Sequence, residues 1–108
     1  MPIMEASDLC PAETLSEYAR MLKAVGHPIR LRLLCLIERQ ADPCVSDMWK
    51  CLNQPQPVIS QHLAILKQNN IVSAEVQKTR RVYSIINPFI RNLVRGIISD
   101  NTMPDLKS

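Results

Sequence analysis

Four cysteines, at positions 10, 35, 44 and 51, and two histidines, at 27 and 62, are the side chains of this 108-residue chain best suited to hold a metal ion or to change redox state. No run is apolar and long enough for a secretion signal or a membrane span, so a cytoplasmic protein with no membrane partner is expected. In that compartment cysteines serve as reduced thiols, ligands or redox sensors rather than structural disulfides. Neither histidine has a partner at zinc-ligand spacing, so a closed tetrahedral zinc site is not expected. A thiolate-only site suits a soft ion such as As(III) or Cd(II). Cys44 and Cys51 lie seven residues apart, about 10.5 Å of helical rise. Two sulfurs on one ion sit within roughly 4 Å, given metal–sulfur bonds of about 2.3 Å. These two therefore cannot share an ion on an intact helix. Cys10, on an N-terminal arm, could reach Cys44 within a chain or across a dimer, and Cys10 and Cys44, with Cys51 as an optional third ligand, form the candidate metal set. Cys35 sits amid Leu33, Leu34 and Leu36 and reads first as a small hydrophobe; a redox pair with Cys44 or Cys51 is the alternative. No obligatory cofactor is implied.

Catalysis is not expected. Two glycines leave no room for a phosphate-binding loop. No Ser–His–acid or paired-carboxylate pattern stands out, and the cysteines have no base nearby in sequence.

A second group of residues points to DNA. In QPQPVISQHLAIL, residues 54 to 66, Pro57 suits the first helical turn, where its missing N–H costs nothing. The remaining N–H groups of that turn would then be free to meet a phosphate. Gln56, Val58, Ser60 and Gln61 fall in or just before this turn. Glutamine pairs bidentately with adenine, serine reaches most base edges, and valine packs on a thymine methyl. His62 lies a turn further on and reads as a backbone contact or a packed side chain; Lys67 adds a cation to the same helix. Lys78, Thr79, Arg80 and Arg81 crown a turn, as a wing reaching for phosphates or the minor groove would. A charged turn that merely blocks edge-to-edge association has the same composition. Between residues 54 and 99 six cations face the single anion Glu75, about +5, the footprint of a polyanion partner. The rival to a DNA binder is a protein-interaction module, which reversal of Arg80 and Arg81 to Glu would distinguish.

These residues need elements to hold them. A core can form at 46% hydrophobic residues, while few aromatics and rare glycine favour helices. A domain this small buries little surface, which favours a dimer. Residues 1 to 12 lack periodicity and read as a flexible arm, 13 to 99 as the folded domain, and 100 to 108 as a flexible tail. Leu15, Ala19, Leu22 and Val25 recur at helical spacing, with Thr14 or Ser16 as cap and Gly26 as stop. Pro28 opens a second helix that is apolar at Ile29, Leu33, Leu34, Leu36 and Ile37. VSDMWKCLN (45 to 53) gives a third, inward at Val45, Met48, Trp49 and Leu52. The fourth runs from Pro57 to the Asn69–Asn70 stop, inward at Ile59, Leu63 and Leu66. IVSAEV and VYSII are strands of a hairpin around QKTRR. Pro88 opens a last helix with Phe89, Ile90, Leu93, Val94, Ile97 and Ile98 on its apolar stripe. The expected fold is mainly α, in the order α-α-α-α-β-β-α: a helix–turn–helix whose second helix enters the major groove, followed by a basic wing.

In LKAVGHPIRLRLLCLI (22 to 37), CVSDM (44 to 48), QPVISQHLAILKQNNIV (56 to 72) and RRVYSI (80 to 85) the chain resembles the ArsR/SmtB family of winged-helix repressors, over roughly residues 14 to 98. The resemblance implies a homodimer joined by the first and last helices. It also implies an inverted-repeat operator in double-stranded DNA, and repression relieved by an effector. The chain departs from the family pattern in several places. The wing lacks the usual glycine near its tip, and Pro55 replaces the Ser or Thr often found ahead of the recognition helix. The family's Cys-Val-Cys metal element reads Cys44-Val45-Ser46. The last helix lacks the family's Asp, His and Glu zinc ligands. Thiol-sensing members pair a second-helix cysteine with one in the last helix, and no cysteine follows Cys51. Arsenic and cadmium sensors of the family combine N-terminal and third-helix cysteines, as Cys10, Cys44 and Cys51 would.

Overall fold

The computed structural model describes residues 11–39 and 45–100. Five helices and one hairpin follow in order: α1 (Ala12–Val25), α2 (Pro28–Arg39), α3 (Val45–Leu52), α4 (Gln56–Gln68), β1 (Val72–Gln77), β2 (Arg80–Ile85) and α5 (Pro88–Ser99). This is the expected winged helix–turn–helix order. No helix among the described residues is long and apolar enough to cross a membrane.

The local chemistry fixes most boundaries. α1 begins earlier than Thr14 or Ser16 would have it. Pro11, extended at φ −60° and ψ 144°, is the N-cap, and no side chain caps the helix. The Pro11 carbonyl accepts from the Leu15 N–H at 3.0 Å, so Ala12 belongs to the folded domain and not to the arm. Gly26 ends α1 at φ −77°, so left-handed freedom is not what selects it. A Cβ there would sit 3.1 Å from the Leu22 carbonyl oxygen, which makes room the reason. Asn87 caps α5 by accepting from the Ile90 N–H at 3.0 Å, with Pro88 behind it.

α4 ends in a Schellman motif. The Ile71 N–H donates to the Leu66 carbonyl, and the Asn70 N–H to that of Lys67, both at 3.0 Å. Asn70 supplies the left-handed residue at φ 58°. Leu66 and Ile71, the hydrophobic pair of that motif, are both fully buried.

The core gathers Leu33 and Leu34 of α2, Met48 of α3, Ile59, Leu63 and Leu66 of α4, Val72 and Ile85 of the hairpin, and Ile90 and Val94 of α5. The inward residues expected for α4 are all there. Ile29 and Leu36 only pack against the edge of the core. Met48 and Leu52 are buried; the side chains of Val45 and Trp49 lie outside the described ones. α1 divides its apolar residues between two faces. Met21, Ala24 and Val25 are buried, while Leu15 and Leu22 stay 51% and 44% exposed. α5 does the same, with Ile90 and Val94 inward and Phe89 and Ile97 outward.

The ladder reaches further toward the tip, and the turn is tighter, than the sequence predicts. β1 and β2 pair antiparallel from Val72↔Ile85 to Gln77↔Arg80, leaving a loop of two residues, Lys78 and Thr79. Lys78 takes φ 60°. A positive φ at the first of two loop residues is the II′ arrangement, where glycine is usual and lysine is strained.

Candidate nucleic-acid interface

α3 and α4 are joined by a tight connection in which Asn53 takes the left-handed φ of 54°. α4 begins at Gln56, one residue before Pro57, with Pro55 as N-cap at φ −60° and ψ 144°. The two prolines change the expectation of an anion-binding turn. Four N–H groups normally lie free at a helix start. Pro55 and Pro57 have none, and the Val58 N–H donates to the Pro55 carbonyl at 3.0 Å. Only the Gln56 N–H remains for an outside acceptor. A DNA contact from this turn would therefore fall to side chains. Gln56, Ser60 and Gln61 are exposed, Val58 and His62 are half-buried, and Lys67 is exposed near the far end.

Lys78, Thr79, Arg80 and Arg81 are all exposed at the wing tip. Strand alternation separates the two arginines. Arg81 lies opposite Val76 on the face that buries Tyr83 and Ile85 lower down, and Arg80 projects from the other face. The ribbon thus carries a cation on each side.

Arg91 and Arg95, two of the six cations counted in the basic half, meet a carboxylate of their own chain. Glu38 of α2, whose side chain is 13% exposed, meets Arg95 Nε at 2.6 Å and Arg91 Nε at 3.3 Å. The second contact lacks hydrogen-bond geometry, so the buried Arg91 Nε has no acceptor. This α2–α5 clasp was not legible in the sequence, although Arg91 and Arg95, four apart, share a helix face. The cations exposed on α4 and the wing are Lys67, Lys78, Arg80 and Arg81.

α4 is fastened to the scaffold by arginines that sequence reading passed over. Arg20 of α1 donates from Nη1 to Asn69 Oδ1 at 2.6 Å, while Asn69 Nδ2 donates to the Ile65 carbonyl. Arg30 of α2 donates from Nε to His62 Nδ1 at 3.2 Å and from Nη1 to the Ala24 carbonyl at 2.9 Å. The His27 ring lies 4.6 Å from that of His62, tilted by 42°. His27 Nδ1 accepts from the Ile29 N–H at 3.1 Å, so an imidazole caps α2. Partial burial, then the His27 ring, then the Arg30 guanidinium hold the His62 pKa below its ordinary value.

The two thiols among the described residues sit on different helices. Cys51 is exposed on the last turn of α3, and Cys35 is half-buried on α2. Burial raises the Cys35 thiol above its ordinary pKa, with Arg39 partly opposing. Cys10 and Cys44 lie outside the described residues. Among the described residues no three metal-ligating side chains converge.

This order of elements agrees with known proteins. The family described as bacterial regulatory protein, arsR family, matches residues 27–74, from the cap of α2 into β1. The HTH-type transcriptional regulator MJ1325 of Methanocaldococcus jannaschii is 35% identical over 83 residues, 77% of this chain and 93% of that one. The crystal structure of the transcriptional repressor PagR of Bacillus anthracis superposes with a TM-score of 0.73 at 25% identity, over 81% of this chain and 99% of PagR. The homodimeric winged helix–turn–helix domain Mb0332 of Mycobacterium bovis has a TM-score of 0.71 at 24% identity, over 93% of this chain and 91% of that domain. Family, element order and basic wing agree: the chain belongs to the ArsR/SmtB family of winged helix–turn–helix transcriptional repressors, which are DNA-binding regulators and not enzymes.

Proposed function

We propose that the chain acts in the cytoplasm as a homodimer on an inverted-repeat operator. Each protomer offers α4 to a major groove and its wing to the flanking backbone. The observation that carries this reading is the exposed polar edge of α4 (Gln56, Ser60 and Gln61) beside a wing whose Lys78, Thr79, Arg80 and Arg81 are all exposed. Glutamine and serine read base edges, and the cations neutralise phosphates. Val58 and His62 flank that edge, and Lys67 extends the cationic side.

The second copy is supported by the outward faces of α1 and α5. Leu15, Tyr18 and Leu22 recur along one side of α1, and Phe89 and Ile97 along α5. Tyr18 and Phe89 pack edge to face at 4.7 Å, making one continuous apolar surface from the two helices. An exposed surface of this kind calls for a partner, and Mb0332, a neighbour in fold, is a homodimer.

The effector is a thiophilic ion, As(III) or Cd(II), held by thiolates of Cys10 and Cys44, with Cys51 joining them only where α3 unwinds. Metal ions are effectors in this family. Cys51 is exposed and open to such an ion, and soft ions favour thiolate ligands. Cys35 is the weaker candidate, because a half-buried thiol with a raised pKa supplies little thiolate for redox chemistry.

The test is a fluorescence titration of the reduced protein against its own upstream DNA, alone and with arsenite, cadmium or an organic persulfide. Salt-sensitive binding that arsenite or cadmium abolishes in the wild type, but not in Cys44→Ser, supports the reading. Release by the persulfide alone moves sensing to thiol redox chemistry and refutes the metal site. Failure to bind in any state refutes the autoregulated repressor.

A further inference from the structure

His62 belongs to the α4 contact set, yet one of its ring nitrogens is bound to the protein's own scaffold, and the direction of that bond fixes its chemistry. An arginine Nε only donates, so His62 Nδ1 must accept and carries no proton. The backbone N–H of Ile29 imposes the same on His27 Nδ1. The His62 ring is then neutral with the proton on Nε2. A second proton on His62 would have to enter at Nδ1, against the Arg30 guanidinium and beside the His27 ring. Neither Arg30 nor His27 is an acid, and from the third element at this junction, α1, the Ala24 carbonyl holds Arg30 in place. Among the described residues no protein acceptor is recorded for His62 Nε2.

We propose that Arg30 is a positioning residue for DNA binding: it holds His62 on α4 as a neutral imidazole whose Nε2–H donates to an acceptor on the operator. The proposal rests on α4 being the recognition helix. Arg30 is well placed for the task because it is itself immobilised. Nη1 binds the last turn of α1, where a cation also suits the negative end of the helix, while Nε holds the ring. A neutral donor adds a hydrogen bond without releasing a counterion, so it contributes affinity that salt does not weaken. This distinguishes His62 from Lys67 and the wing cations, and it would also distinguish Arg30 acting through His62 from Arg30 touching a phosphate itself.

The experiment combines imidazole NMR of the full-length protein with DNA titrations of Arg30→Met, His62→Gln, His62→Phe, the Arg30→Met/His62→Gln double variant and Arg81→Glu. Wild-type His62 should show the Nε2–H tautomer, with its titration below that of a free histidine. Arg30→Met should weaken operator binding about tenfold, the loss of one hydrogen bond to a charged acceptor, with the salt slope unchanged. In that variant His62 is released to protonate, so binding should recover as pH falls from 7 to 5.5, whereas wild-type binding should change less over that range. The side chain introduced by His62→Gln carries its amide donor near the position of imidazole Nε2 and needs no arginine to orient its proton. His62→Gln should therefore stay within a few-fold of wild type, and adding Arg30→Met should cost little more, while His62→Phe should lose about tenfold.

An Nδ1–H tautomer in the wild type overturns the proposal even if Arg30→Met fails to fold. So does an Arg30→Met loss that is equal in the wild-type and His62→Gln backgrounds, or one that lowers the salt slope. Weakening by Arg81→Glu but not by Arg30→Met overturns the proposal alone. If neither variant affects binding, the recognition-helix reading falls with it.

Discussion

The division of the basic half into clasped cations and those on α4 and the wing makes a numerical prediction. Binding to duplex DNA loses affinity with salt at a logarithmic slope of about −0.9 per phosphate neutralised. All six cations of residues 54 to 99, doubled for two protomers, would give a slope of about −11. With Arg91 and Arg95 held by Glu38, the cations exposed on α4 and the wing are Lys67, Lys78, Arg80 and Arg81, and phosphate contacts from these four in each protomer give a slope of about −7. Between 50 and 200 mM salt the first value weakens binding about four-million-fold and the second about sixteen-thousand-fold, well separated in a fluorescence anisotropy titration. Arg81→Ala removes one contact per protomer and should bring the slope to about −5. Arg95→Ala should leave it at the wild-type value, because its guanidinium sits 2.6 Å from a carboxylate of its own chain. Equal flattening by Arg95→Ala and Arg81→Ala would show that the α5 arginines reach DNA, and the assignment of the clasp would be wrong.

Glu38→Gln should destabilise the fold by about 1 kcal/mol in urea unfolding, a modest figure because both arginines are substantially exposed; a loss undiminished in 1 M salt would exclude an electrostatic origin. Lys78→Gly should stabilise by about 1 kcal/mol by relieving the positive φ, while flattening the salt slope as Arg81→Ala does; a lower melting temperature would contradict the turn geometry. Because the folded His62 pKa lies below the unfolded value of 6.5, stability is full above pH 6.5. It falls as pH drops toward the folded pKa, where the unfolded chain takes up the proton first, and then levels. Melting between pH 7.5 and 5.5 should therefore drop more for wild type than for His62→Gln, and equal drops would place the proton elsewhere. Iodoacetamide should label Cys51 well before Cys35 in a timed mass-spectrometric series, given exposure of the first and burial of the second; the reverse order would mean that the α2 thiol is open.

Local signals made most of the fold legible. Gly26, Pro28, the Asn69–Asn70 stop and Pro88 each act within a few residues, and each falls at an observed boundary. Expectation and structure part where local chemistry has competing solutions. Thr14 and Ser16 are good caps, but Pro11 places its carbonyl one turn ahead of Leu15 and starts α1 without them. QKTRR has no glycine, so a long loop is the natural expectation; Lys78 accepts a strained φ, and the longer ladder to Gln77↔Arg80 compensates. Pro55 departs from the family pattern, and with Pro57 it removes two of the donors that a phosphate would have met.

The candidate site was legible as residue types and illegible as attachments. Gln56, Ser60, Gln61 and the wing cations could be read because their chemistry and position along one element suffice. The bonds Arg30–His62, Arg20–Asn69 and Arg95–Glu38 join residues 32, 49 and 57 apart, and no short window of sequence contains both partners. These attachments have a common consequence. Arg20 ties α1 to the C-terminal cap of α4, and Arg30 ties the end of α1 to the middle of α4 through His62. The same α1 carries the outward apolar residues Leu15, Tyr18 and Leu22, and its N-cap Pro11 directly follows Cys10 in the sequence. α1 therefore cannot shift against α4 without straining or breaking a charge-assisted hydrogen bond at two places along the recognition helix. The edge of α4 proposed to read DNA and the apolar face proposed for the second copy are thus mechanically connected through Arg20, Asn69, Arg30 and His62.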